Sequence, residues 1–102
     1  MAFVKITEFS KLKEGKIHPF SLRDRDLAIV RKGETVYAFE DVCSHDGGAI
    51  SDGEIVEDRV ICPRHFAEFS ILTGEALTMP ATEKISVFPT RVVGDSVEVD
   101  LE

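Results

Sequence analysis

The sequence predicts an all-β fold, and three observations carry that prediction. Apolar residues recur at every second position through several short runs, and turn-forming residues separate those runs at short intervals. Only one turn's worth of helical signal occurs in the 102 residues. A period of two is what a half-buried strand requires, because successive side chains point to opposite faces. Short strands with turns between them point to a sandwich or barrel-like base, and residues 1–102 are expected to form one domain.

In chain order, FVKITEF sets Phe3, Lys5, Thr7 and Phe9 on one face and Val4, Ile6 and Glu8 on the other. The single helical turn follows at Ser10 to Glu14, with Ser10 as N-cap, Leu12 as its buried residue and Gly15 as terminator. DLAIVRKGETVYAFED reads as two strands joined across Lys32, Gly33 and Glu34, and EIVEDRVIC as two shorter ones around Glu57 and Asp58. RVVGDSVEVDLE is a hairpin turning at Gly94 and Asp95, after which Val97, Val99 and Leu101 alternate inward. Pro19, Pro63, Pro80 and Pro89 belong at edges and loops, where a missing N–H costs no ladder bond.

Composition narrows the function classes. The net charge of −7 works against nucleic acid and anionic membranes, whose phosphates would repel it, and suits a basic protein partner. No run approaches the roughly 18 apolar residues of a membrane span. The N-terminus, MAFVKITEFSKLKEG, has no signal-peptide apolar core. A cytoplasmic, unanchored monomer is expected.

The two cysteines each have a histidine close by. Cys43-x-His45 lies in EDVCSHDGGAISDG, and after sixteen intervening residues Cys62-x-x-His65 lies in ICPRHFAEF. In a cytosolic chain such a pair of cysteines is more often a metal site than a disulfide. Ligands at i and i+2 serve one tetrahedral ion awkwardly, so the spacing favours two metal atoms, as in a 2Fe–2S centre with two His replacing two Cys on one iron. A structural zinc site has the same stoichiometry and is the main rival, giving a zinc-stabilised interaction module. Its cysteines normally precede its histidines, whereas here they alternate. A nucleophilic Cys–His pair would leave the duplicated arrangement unexplained.

The segment CSHDGGAISDGEIVEDRVICPRHFAEFSILTGEALTMPA resembles the cluster-binding segment of Rieske iron–sulfur proteins, above all the small ferredoxins of multicomponent, aromatic-ring-hydroxylating dioxygenase systems. Those carry C-x-H, a similar spacer, C-P-x-H-x-x-x-F, then a T-G and a P-A; the counterparts here are Pro63, Phe69, Thr73-Gly74 and Pro80-Ala81. The resemblance implies a base of antiparallel strands with a cluster-binding subdomain, approximately 41–82, inserted in it. It implies one Rieske 2Fe–2S cluster, with Cys43 and Cys62 on the inner iron and His45 and His65 on the outer. It further implies a one-electron carrier, not itself an enzyme, passing electrons from a reductase to a terminal oxygenase by transient docking. The alternative is a permanent small subunit of an oxidoreductase complex such as nitrite reductase.

Departures from other branches sharpen this expectation. Rieske proteins of quinol-oxidising complexes carry an extra cysteine in each loop, at positions held here by Gly47 and Arg64, and also a membrane anchor. Their serine and tyrosine donors to the cluster correspond to Ala67 and Phe69, which have no hydroxyl. The potential is therefore expected near the low end of a class spanning roughly −150 to +300 mV. Phe66 stands where this family often has glycine, and its ring is expected either to shield the outer iron, to add an apolar contact to a docking surface or to pack inward as core. Asp46, Arg64 and Glu68 read as solvated loop charges, His18 as a surface histidine, and Pro80 as either a cluster-covering residue or a plain strand breaker.

Overall fold

The computed structural model describes residues 3–43, 48–63, 66–78 and 83–101. Among these, ten strands build three antiparallel sheets. They are β1 (Phe3–Glu8), β2 (Ile17–Leu22), β3 (Arg25–Lys32), β4 (Thr35–Glu40), β5 (Glu54–Val56), β6 (Arg59–Ile61), β7 (Glu68–Ser70), β8 (Val87–Phe88), β9 (Thr90–Val93) and β10 (Ser96–Asp100). The sheet orders are β1-β10-β9, β2-β3-β4-β8 and β5-β6-β7. The all-β expectation holds, and both ends of the chain meet in one sheet where β1 pairs with β10.

The four-stranded sheet sits in the middle because both its faces are apolar. Leu27, Ile29, Val36 and Ala38 pack on one side with Val97, Val99 and Leu101. Ala28, Val30 and Phe39 pack on the other side with Val60, Phe69, Ile71 and Ile85. The uninterrupted run Leu27-Ala28-Ile29-Val30 is thereby explained, since each of its four residues is fully buried. A strand covered on both faces reads as a continuous apolar run instead of an alternating one. The sheet is a floor under the β5-β6-β7 unit and a wall against the terminal sheet.

Several local expectations shift in place. The helical turn is a 3₁₀ turn over Phe9–Lys11, one residue earlier than the spacing suggests, and Glu8 at its N-cap makes no side-chain cap bond. Ser10 does not cap it because its N–H and hydroxyl both donate to the Asp95 carboxylate, each at 2.8 Å. Leu12 is buried as expected. In β1 the register slips between Lys5 and Thr7, so strict alternation ends at a bulge. Pro19 lies inside β2 without breaking it, because β2 is an edge strand. The β2–β3 hairpin turns on Arg23 and Asp24, both at positive φ (52° and 63°) with no glycine present, so the usual sequence signal for such a turn is missing.

Candidate metal centre

Cys43 follows β4 by three residues and opens a loop that leads from the four-stranded sheet into β5 of the β5-β6-β7 sheet. Its N–H donates to the carbonyl of Gly48 at 2.8 Å. The loop is fastened at its base by a side-chain clamp: the Ser51 N–H and hydroxyl both donate to the Asp41 carboxylate, each at 2.7 Å. Asp41 is itself positioned through its N–H, which donates to the Asp26 carbonyl at 2.9 Å. Gly53 then lets the loop run flush against β6. A Cβ there would lie 1.9 Å from the Ile61 carbonyl oxygen, so any side chain would push the loop away from the residue preceding Cys62.

Cys62 comes directly after β6 and opens the second loop. Its N–H donates to the carbonyl of Ala67 at 2.8 Å, which repeats the five-residue closure seen at Cys43. Here the fastening is by backbone. The Phe66 N–H donates to the Cys62 carbonyl at 2.9 Å, and Phe66 adopts φ +59°, the left-handed conformation that turns the chain into β7. That conformation costs a residue with a Cβ roughly 1–2 kcal/mol, which is the physical reason glycine suits the position. The Phe66 side chain does not pack inward; it is 71% exposed.

Behind this loop, Glu68 is half-buried and accepts from Arg59 Nη1 at 2.6 Å, so it is not the solvated charge suggested by the sequence. Its backbone N–H donates to the Thr78 hydroxyl at 3.0 Å. The Thr73-Gly74 pair also gains a reason. Gly74 has φ +82°, and a Cβ on it would meet the Ile85 carbonyl oxygen at 2.0 Å, so only glycine lets the segment around Ile85 close against the turn. His18 is half-buried and accepts at Nε2 from the Lys13 N–H at 3.0 Å, which makes it part of a local turn rather than a plain surface histidine.

The two loops converge. Cys43 and Cys62 are fully buried and belong to one apolar cluster with Ile50, Val60, Ala67 and Phe69. His45 and His65 lie outside the described residues, as do Asp46, Gly47, Arg64, Pro80 and Ala81. The described donors fit an iron–sulfur group. Two soft sulfurs from symmetrically closed loops lie in one apolar cluster, where a bound metal would keep thiols deprotonated at no cost of a bare buried charge. The Asp41–Ser51 clamp and Gly53 were not singled out from the sequence; an Asp two residues before the cysteine and the S-D-G turn are the only local hints of them.

Fold and donor set together define an iron–sulfur protein of the small, all-β kind. The chain belongs to the Rieske [2Fe-2S] domain family, whose model matches residues 2–89. Over its whole length it is 34% identical to the ferredoxin component of biphenyl 2,3-dioxygenase from Rhodococcus jostii (strain RHA1), covering 95% of that relative. Among solved structures it matches the ferredoxin of carbazole 1,9a-dioxygenase from Nocardioides aromaticivorans IC177, with TM-score 0.94, 25% identity and full coverage of both chains. It also matches a chain in a complex of reduced oxygenase and oxidized ferredoxin in carbazole 1,9a-dioxygenase, with TM-score 0.88 and 30% identity, covering 98% of this chain and 97% of that one. These relatives are electron-transfer components and not themselves catalysts. No described helix is long and apolar enough to cross a membrane.

Proposed function

We propose that this chain is the one-electron carrier of a dioxygenase system, holding a single Rieske 2Fe–2S cluster between its two loops. Cys43 and Cys62 are the ligands of the inner iron, His45 and His65 those of the outer iron. Residues 1–102 act as one domain with the cluster-binding subdomain over about 41–82. The carrier works as a cytoplasmic monomer, takes an electron from a reductase and docks transiently on a terminal oxygenase. The observation that carries this reading is the pair of fully buried cysteines, each opening a loop closed by the same backbone bond and each followed by a histidine within that loop.

When bound, the cluster takes up and gives back one electron without rearranging bonds. The protein's part is to hold the ligands and to set their surroundings. The apolar cluster around Cys43 and Cys62 excludes water from the sulfur side. Ala67 and Phe69, both fully buried there, supply no hydroxyl donors, which supports a potential near the low end of the class. Asp24, Asp26, Glu40 and Asp41, with Arg25 as the one cation among the described residues there, line a groove that reaches Val42, next to Cys43 in the chain. That negative rim, with the charge of −7, suits brief encounters with basic partner faces.

The deciding experiment is electron paramagnetic resonance of the dithionite-reduced protein together with iron and acid-labile sulfide analysis. A rhombic Rieske signal with two irons and two sulfides per chain is expected. A colourless protein containing zinc would replace the carrier with a zinc-stabilised module. Co-purification with a large subunit would replace transient docking with a permanent complex.

A further inference from the structure

We infer that Phe66 is the docking anchor for the terminal oxygenase, an apolar knob held out beside the cluster at the expense of the chain's own stability. The inference rests on the carrier reading above and adds to it a specificity-determining residue. Three observations meet at this side chain. Its backbone is in the left-handed region at φ +59°, where glycine is the unstrained choice. Its ring is 71% exposed, so the strain is not repaid by burial within this chain. And its N–H donates to the carbonyl of Cys62, which ties the backbone that carries the ring directly to a cluster ligand, one residue after His65 in the chain. Strain kept at a position where folding gains nothing from the side chain points to a use outside the fold.

The surroundings say what kind of surface fits. Phe66 shares an open groove with Asp52, Gly53, Glu54, Ile61 and Pro63. The ring, Ile61 and Pro63 give an apolar patch, and the exposed Asp52 and Glu54 carboxylates give it an acidic edge. The matching surface is an apolar socket rimmed by Lys or Arg. A large aromatic at the centre of a small patch with charge at the rim is the pattern of an interface hot spot. A partner seated on this ring would lie against the loop that carries Cys62, so the contact that supplies affinity would also bring it close to the cluster that loop helps to hold. The oxygenase is chosen over the reductase because the carrier reading makes it the acceptor, and a related ferredoxin is solved in complex with an oxygenase.

The test uses the cluster-loaded full chain and stopped-flow reduction of the oxygenase components of the biphenyl, naphthalene and phenylpropionate dioxygenase systems. The acceptor that the unsubstituted chain reduces fastest is taken forward. Phe66→Gly and Phe66→Ala should raise the apparent KM for this protein roughly fivefold or more with little change in maximal rate. Phe66→Tyr should restore it. The paramagnetic signal should be unchanged in all three, and Phe66→Gly should melt at a higher temperature than the unsubstituted chain. Asp52→Asn with Glu54→Gln should raise KM at low salt and lose that effect at high salt. Variants whose KM stays within about twofold of the unsubstituted chain would overturn the anchor and leave the carrier reading standing. A rise confined to the reductase reaction would overturn the oxygenase as its occupant. If the unsubstituted chain reduces none of the three oxygenases, the oxygenase-donor reading and the anchor fall together.

Discussion

Cys43 and Cys62 open loops closed by the same N–H to carbonyl bond five residues on, at 2.8 Å in both, yet the two loops are fastened by different chemistry. The first depends on a side chain: the Asp41 carboxylate accepts two bonds from Ser51, ten residues along. The second depends on backbone conformation at Phe66 and on a short ion pair, Arg59 to Glu68, beneath it. A clamp made by a carboxylate leaves the residues inside the loop free to vary. A clamp made by a left-handed residue ties loop closure to the identity of that one residue. This chain accepts a strained phenylalanine there, so its second loop has stability to regain.

The largest effect expected is the one that treats the loops alike. Cys43→Ser and Cys62→Ser should each abolish the cluster and lower stability, because thiolate ligation is part of the folding free energy. Iron and sulfide analysis checks this, and two irons and two sulfides per chain in either variant would remove that cysteine from the ligand set.

Next comes a change that separates the loops. Asp41→Ala removes both Ser51 bonds at a half-buried site and should cost about 2 kcal/mol, since bonds to charged groups are worth roughly 1.5–3 kcal/mol. Denaturant unfolding gives the size, and hydrogen exchange gives the place. The Cys43 and Ser51 amides should exchange faster while the Cys62 amide keeps its rate. Equal acceleration at both cysteines would mean that the loops open as one unit and are not separately fastened.

Phe66→Gly should act in the opposite direction and gain about 1 kcal/mol, the relieved left-handed strain less the greater freedom glycine adds to the unfolded chain. A loss of stability in equilibrium unfolding of the cluster-loaded variant would contradict the strain account.

The smallest effect concerns an exposed copy of the first clamp, far from the cluster. The Asp95 carboxylate accepts from the Ser10 hydroxyl and N–H, and these bonds, the hydroxyl's first, hold its carboxyl below the ordinary value of 3.8. A depressed folded value means stability that is present above pH 3.8 and lost as pH falls through the lower folded value. Asp95→Asn should therefore cost slightly at neutral pH, far less than Asp41→Ala, with the difference vanishing in acid. A difference that widens in acid would reverse the sign of this argument.

The sequence by itself determined what acts within a few residues. Short apolar runs bounded by the Gly33 and Gly94 turns predict β3, β4, β9 and β10 closely, because run length and turn chemistry are local. The Cys–His spacing predicts a metal centre of two loops, because ligand type and spacing are written in the chain. What only tertiary structure decided is which distant groups meet. Ser10 has the composition of an N-cap, yet its hydroxyl goes to Asp95, 85 residues away, where a carboxylate offers two acceptors. The β2–β3 turn has no glycine and is forced by pairing on either side of Arg23 and Asp24. Burial of β3 on both faces, the fit of Gly53 against Ile61 and the outward ring of Phe66 likewise depend on what packs alongside. Local propensity does not encode such partners, because each is chosen by a contact that exists only after the sheets have come together.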